Sequence, residues 1–186
     1  MSMFLVVVLS LTAAVVQGPT NLIENPAAER GADAWQGEGH AVVEEFNGNR
    51  CFVVRNGGKF RQTVTLPVEA VGKFILFIAH LSGERVASDI TDRPYLYGLT
   101  LSVDGRRILL HNQSATMRSD AERANQWTKA WGVFPVSDGS SKITYQLGQG
   151  LRRGSPHTGS AARFDDVGLF VFNTQSEAEE FVSRYR

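Results

Sequence analysis

The side chains best suited to binding chemistry are aromatic rings and hydrogen-bonding groups near the ends of apolar segments. Flat rings combined with fixed polar groups match a sugar, because a pyranose has an apolar face surrounded by hydroxyls. Trp131 alternates with Val133, so it suits either a binding platform or a seal on the core. Tyr95 and Tyr97 suit a platform and equally suit cross-strand packing. The predicted ligand-binding residues are Arg93, Tyr95, Tyr97, His111, Asn112 and Trp131.

Motifs of known catalytic sites are absent from the sequence. It contains no Gly-x-Ser-x-Gly, no His-Glu-x-x-His and no glycine-rich phosphate loop, and its four histidines are scattered. Paired carboxylates about 5–9 Å apart could hydrolyse a glycosidic bond. Glu44–Glu45 and Asp165–Asp166 are neighbours, but adjacent residues on a strand point to opposite faces, so neither doublet is expected to form such a pair. The enzymatic alternative is a small glycosidase, or a polysaccharide lyase that binds an acidic substrate through residues 150–154 and His157.

Composition indicates an ordinary globular protein. The 186 residues are 42% apolar and 20% charged, and the 19 basic residues balance the 19 acidic ones. This length predicts one domain with a sizeable core. A formal charge of zero gives no long-range attraction to nucleic acid, which we do not expect as a partner. Cys51, the only cysteine, cannot form an internal disulfide, and its apolar neighbours predict a buried, unreactive thiol.

The first residues have the character of a targeting segment. Residues 1–16 are almost entirely apolar, but the run is shorter than the ~20 residues that a membrane-spanning helix needs. Small residues at Val16 and Gly18 are typical of a signal-peptidase site. We therefore predict a signal peptide over residues 1–18 and a secreted, periplasmic or extracellular protein that meets the membrane only through this segment. An uncleaved anchor is the alternative.

Period-two alternation dominates from residue 41 onward and predicts an all-β, two-sheet antiparallel sandwich. The nine predicted strands cover residues 41–46, 51–56, 60–66, 73–81, 95–103, 106–111, 128–136, 142–147 and 163–172. Asn47-Gly48, Asp104-Gly105 and Asp138-Gly139 are typical turn dipeptides. Three long connections, 82–94, 112–126 and 148–162, are where binding groups would lie. The domain therefore spans residues 19–174.

The C-terminal residues change from strand to helical periodicity. Ser176 and Glu179 have the spacing of a capping box, and Phe181, Val182 and Tyr185 then share one face. We predict a short amphipathic helix over residues 175–186 that docks on the domain.

Three motifs resemble one known family. NLIENPAAERG at 21–31 followed by Trp35 resembles the opening of the CenC-type carbohydrate-binding modules, which belong to the galactose-binding-like jelly-roll superfamily. WTKAWGVF at 127–134 is similar to a late strand of those modules, and RFDDVGL at 163–169 is similar to their closing strand. The resemblance spans about 150 residues in the order of the family. It implies a jelly-roll sandwich in which Trp35 and Trp127 are packed.

The resemblance also implies one structural calcium ion and no organic cofactor. Its ligands in the family come from the opening loop and the closing strand, which implies Glu29 and Asp165 here, with Asp166 as the alternative to Asp165. Carboxylates and loop carbonyls are the oxygen ligands that calcium prefers. Two alanines, Ala27 and Ala28, replace the Gly-Phe of the family. Without calcium, Glu29 and Asp165 would pair with arginines at the surface, a contribution of ~0–1 kcal/mol.

The sequence as a whole predicts a secreted, non-catalytic domain that binds a glycan or polysaccharide. A structural or protein-interaction sandwich, with another extracellular protein as partner, is the first alternative. A small polysaccharide lyase or glycosidase is the second.

Overall fold

The computed structural model describes residues 18–84, 94–102, 107–113, 125–149 and 160–185, and over 94–102 and 107–113 the description is of the backbone. These residues contain eight strands, one 3₁₀ turn and one α-helix. The strands are β1 (Gln36–Phe46), β2 (Asn49–Thr65), β3 (Phe74–Gly83), β4 (Pro94–Ser102), β5 (Arg107–Gln113), β6 (Thr128–Pro135), β7 (Ser140–Gln149) and β8 (Ala162–Phe172). The 3₁₀ turn is Val68–Ala70, and the helix α1 is Gln175–Arg184.

All strand pairs are antiparallel, in the order β5-β4-β7-β2-β8-β3-β6, with β1 beside β2. Strand β2 belongs to both layers of the sandwich. Its first part, Phe52–Val54, pairs with β8, and its last part, Lys59–Thr65, pairs with β7. The expected all-β antiparallel sandwich with a short C-terminal helix is confirmed.

One strand prediction was wrong. Residues 51–56 and 60–66 form a single bent strand, β2, because the glycines between them bend the chain without ending its pairing with β1. Gly57 has a φ of +75°, and Gly39 of β1, which lies against Gly58, has a φ of +64°. A Cβ on Gly58 would lie 2.4 Å from the carbonyl oxygen of His40, so only glycine fits this crossing.

Aromatic side chains fill the core between the layers. Phe77 of β3 and Tyr145 of β7 have ring centroids 5.5 Å apart, and the Tyr145 hydroxyl donates to the Ile78 carbonyl at 2.9 Å. Trp35 packs on Phe52 at 4.9 Å and is buried, which confirms the expectation that it belongs to the core. Trp127 is half-buried against Phe46 at 6.0 Å. Cys51 is fully buried, and burial raises the pKa of its thiol to about 11.

Helix α1 covers the outer face of the layer that contains β3 and β8. Ala178 and Val182 of the helix pack on Leu76, Ile78 and Phe170 of these strands. Phe181 and Tyr185 join this cluster, so the predicted apolar face of the helix is confirmed. The predicted capping box was wrong by two residues: the Thr174 side chain caps the helix and Glu177 completes the box, and Ser176 already lies inside the helix.

Two of the three predicted turns lie within the described residues, and both are confirmed. Asn47 and Gly48, with φ of +53° and +83°, connect β1 and β2, and Gly139, with a φ of +77°, opens β7. The Asp104-Gly105 turn, the signal segment up to residue 17 and most of the three long connections lie outside the described residues. Among the described residues, no helix has the length and apolar character needed to cross a membrane.

Candidate functional site

The register of the layer containing β2, β7, β4 and β5 aligns five residues across its strands. Gln36 of β1 is the partner of Arg61, and Arg61 is the partner of Gln146. Gln146 is in turn the partner of Tyr97, and Tyr97 is the partner of Asn112. At a strand spacing of about 4.8 Å, this row is about 19 Å long. Two of the predicted ligand-binding residues, Tyr97 and Asn112, thus occupy paired positions in one row.

The described side chains of this layer form a fixed polar surface. The guanidinium of Arg61 donates from Nε to Gln146 Oε1 at 2.8 Å and from Nη1 to Glu38. The Lys59 ammonium lies 3.3 Å from the same Glu38 carboxylate. Gln146 is 1% exposed, so its role is to hold Arg61 in place, whereas Arg61, Glu38 and Lys59 are partly exposed. We call Glu38, Lys59, Arg61 and Thr63 the polar face.

Trp131 lies on the other layer. It is the partner of Ile78 in the β3–β6 ladder, on the face that α1 covers, and it is 37% exposed. Because β6 and β4 belong to different layers, Trp131 and the tyrosines of β4 are not in one strand ladder. The sequence offers no pairing information that separates these aromatic candidates.

For the other predicted ligand-binding residues, the structure describes either the backbone alone or nothing. Tyr95 is the partner of Gly148, and His111 is the partner of Gly98. Arg93 lies outside the described residues. No sequence motif marks Arg61, Glu38 or Gln146 as binding residues; the available signal is that Arg61 and Thr63 alternate with the buried Phe60, Gln62 and Val64 along β2.

The opening segment of the domain is hydrogen-bonded to the closing strand. The Asn21 side chain donates to the Val167 carbonyl at 2.9 Å and accepts from the Leu169 N–H at 3.0 Å. The Val167 N–H donates to the Pro26 carbonyl at 3.0 Å. These bonds hold the loop that carries Glu29 against β8.

Glu29, Asp165 and Asp166 line one cavity of about 360 Å³. We call it the carboxylate cavity; its other lining residues are Ala27, Gly48, Asn49 and Arg50. The expectation that Asp165 and Asp166 point to opposite faces was wrong. Asp166 has a φ of +45° and lies where the β3–β8 register shifts, and such a bulge breaks the alternation of a strand.

Negative charge accumulates in the carboxylate cavity. Burial, aided by the nearby carboxylates of Asp166 and Glu29 and opposed by a hydrogen bond from the Asp166 N–H, raises the pKa of Asp165 to about 6. Asp166 Oδ2 lies 3.2 Å from His80 Nδ1. The donors suit a hard cation such as calcium. In the described part of the chain, however, no three histidine, cysteine or acidic side chains are already arranged around one metal position.

Comparisons with known proteins identify the fold. No family model and no curated protein matches the sequence. The CBM22-1 xylan-binding domain of Paenibacillus barcinonensis Xyn10C is similar in structure, with a TM-score of 0.53 and 12% identity over 86% of this chain and 99% of that one. The chain has the fold of carbohydrate-binding modules. TmCBM61, solved with β-1,4-galactotriose, has a TM-score of 0.50 and 16% identity over 83% of this chain and 99% of that one.

A larger protein shares the same fold in part of its length. The enzymatically active domain of bacteriophage CBA120 tailspike protein 4 has a TM-score of 0.56 and 12% identity over 82% of this chain. The match covers 21% of the tailspike chain, so this chain spans about a fifth of that structure.

Proposed function

We propose that this chain is a secreted, non-catalytic domain that binds a glycan on the outer face of the layer containing β2, β7, β4 and β5. The single observation that carries the proposal is the row in which Arg61, held by Gln146, shares its register with Tyr97 and Asn112. A fixed guanidinium beside an aromatic position suits a sugar, because the ring stacks while the hydroxyls accept hydrogen bonds.

The charges of the polar face favour a neutral glycan. Glu38 accepts a hydrogen bond from Arg61 and lies 3.3 Å from the Lys59 ammonium, so this carboxylate already forms an ion pair with each of the two cations. An acidic sugar would have to displace Glu38, whereas a neutral hydroxyl can accept from the guanidinium and donate to the carboxylate at once. The structural neighbours support this class: TmCBM61 was solved with β-1,4-galactotriose, and the CBM22-1–GH10 modules of Clostridium thermocellum Xyn10B, which are also similar in structure, were solved with xylohexaose.

The test is binding of galactotriose, xylohexaose and a wider glycan panel by isothermal titration calorimetry. We expect Arg61→Ala to weaken binding about tenfold, which corresponds to about 1.4 kcal/mol. Arg30→Ala, which removes an exposed arginine of the opening loop, is the matched control and should bind as the wild type does. Equal affinity of the Arg61→Ala variant and the wild type would contradict the proposed surface. A lack of measurable binding to every glycan of the panel would contradict glycan binding.

The proposal includes one structural calcium ion in the carboxylate cavity. Glu29 and Asp165 or Asp166 would supply carboxylate oxygens, and the ion would neutralise the carboxylate charge that adds to the effect of burial on the pKa of Asp165. An ion that binds only the folded state stabilises it by mass action. We therefore expect a chelator to lower the melting temperature; an unchanged value would remove the ion from the proposal.

Secretion rests on the apolar segment before residue 18. Mass spectrometry of the exported protein should find the mature chain beginning at or near Pro19, or after Ala14. Retention of residues 1–18 in the exported protein would support the alternative, an uncleaved membrane anchor.

A further inference from the structure

The free edge of β2 forms a groove beside the polar face. The last four residues of β2, from Gln62 to Thr65, pair with β7 on one side. On the other side β1 begins at Gln36, the partner of Arg61, so no described strand continues the ladder along these four residues. Backbone groups of an unpaired edge are available to a ligand.

One side chain keeps the opening segment away from this edge. The Gln62 carboxamide accepts from the Glu24 N–H at 2.8 Å and donates to the Glu24 carbonyl at 3.0 Å. It also lies 3.3 Å from the Ala34 carbonyl. Paired strands lie about 4.8 Å apart, but here a whole side chain separates the two backbones. The result is a groove of about 590 Å³, which we call the edge groove.

The lining of the edge groove is rich in hydrogen-bonding groups. Glu24, Gln36 and Arg61 contribute a carboxylate, an amide and a guanidinium, and Thr63 and Thr65 contribute exposed hydroxyls. None of its lining residues is aromatic. Such a groove holds a ligand by its hydroxyls at fixed positions and provides no ring for stacking.

Arg61 lines the edge groove and also belongs to the polar face, so the two surfaces are continuous. A glycan that crosses the strands along the row would therefore reach the groove at its β2 end. We propose that the edge groove binds the terminal residue of a neutral glycan chain, which makes this a chain-end site added to the sheet face. The inference rests on the proposed function.

Charge supports a neutral terminal sugar. The groove lining carries one carboxylate, Glu24, and one guanidinium, Arg61, and Arg61 is already paired with Glu38 of the polar face. A terminal uronate would meet the Glu24 carboxylate without a free cation to compensate it. A neutral sugar can donate hydroxyls to Glu24 and Gln36 and accept from Arg61.

The experiment uses the full chain, with galactotriose and xylohexaose as probes. Thr65→Trp fills the groove, and Glu24→Gln removes its carboxylate while leaving the backbone that Gln62 binds. We expect Thr65→Trp to weaken binding about tenfold and Glu24→Gln to weaken it about threefold. Glu69→Trp and Glu69→Gln, at an exposed residue of the 3₁₀ turn, are the matched controls and should bind as the wild type does.

Amide NMR shifts of the wild type provide a second measurement that does not depend on a variant folding. We expect shifts at Glu24, Gln36 and the four edge residues of β2. Shifts confined to the polar face, with unchanged affinity of both groove variants, would overturn the chain-end site and leave the proposed function intact. A lack of binding to the two probes and to the glycan panel would overturn both the chain-end site and the proposed function.

Discussion

Replacing Asp165 with asparagine removes a charge that folding forces into the carboxylate cavity. The pKa of this carboxyl rises from 3.8 to about 6, chiefly because it is half-buried, and secondarily because Asp166 and Glu29 are close. Asparagine keeps the oxygen that accepts from the Asp166 N–H. The variant therefore isolates the charge from the hydrogen bond.

The sign follows from proton linkage. The folded protein holds the proton more tightly than the unfolded chain, so stability falls as pH rises from about 4 to about 6 and stays lower above that range. Two pKa units correspond to at most about 3 kcal/mol, and partial solvent exposure reduces this to about 1–2 kcal/mol. In chelator, Asp165→Asn should then be more stable than the wild type by about 1–2 kcal/mol at pH 7.5.

The measurement is urea denaturation at pH 3.5 and pH 7.5 in chelator. At pH 3.5 the two proteins should be about equally stable, because Asp165 of the wild type is then mostly protonated in both the folded and the unfolded state. Glu69→Gln, at an exposed carboxylate, controls for loss of charge in general. A variant that is less stable than the wild type at pH 7.5, or a difference that does not change with pH, would refute the electrostatic reasoning. Added calcium should reverse the order of stability by binding the wild type more tightly.

Two further predictions concern packing. Tyr145→Phe should destabilise the fold by about 1–2 kcal/mol, because the Ile78 carbonyl loses its buried donor, and urea denaturation measures this; no loss would mean that the hydroxyl is dispensable. Lys129→Met should increase hydrogen exchange of the last turn of α1, because the ammonium binds the Val182 and Tyr185 carbonyls. Arg184→Met, which breaks only an exposed ion pair with Glu180, is its control, and equal exchange in both variants would contradict the anchoring role.

Most of the secondary structure could be predicted because its signals are local. Alternation identified the strands, and Asn47-Gly48 identified the β1–β2 turn, since positive φ is acceptable to both residues. The merger of two predicted strands into β2 could not be predicted. Gly57-Gly58 is compatible with a loop as well as with a bend, and only the partner strand β1 decides between them.

The candidate site was predicted in part. Tyr97 and Asn112 were proposed from residue type, but their alignment with Arg61 depends on the registers of three ladders. Register arises from contacts between residues far apart in sequence, and no short motif encodes it. The carboxylate cavity was anticipated from the family resemblance, whereas the placement of Asp165 and Asp166 on one side required the bulge at Asp166.

By itself, the sequence determined most of the strand and helix content, the turns at Asn47-Gly48 and Asp138-Gly139 and the residue types available for binding, because these depend on neighbours along the chain. Tertiary structure alone decided which of those residues meet. It separated Trp131 from the tyrosines of β4 and tied the opening segment to β8. It also left the β2 edge open beside the polar face, because one glutamine side chain occupies the place where a paired strand would otherwise lie.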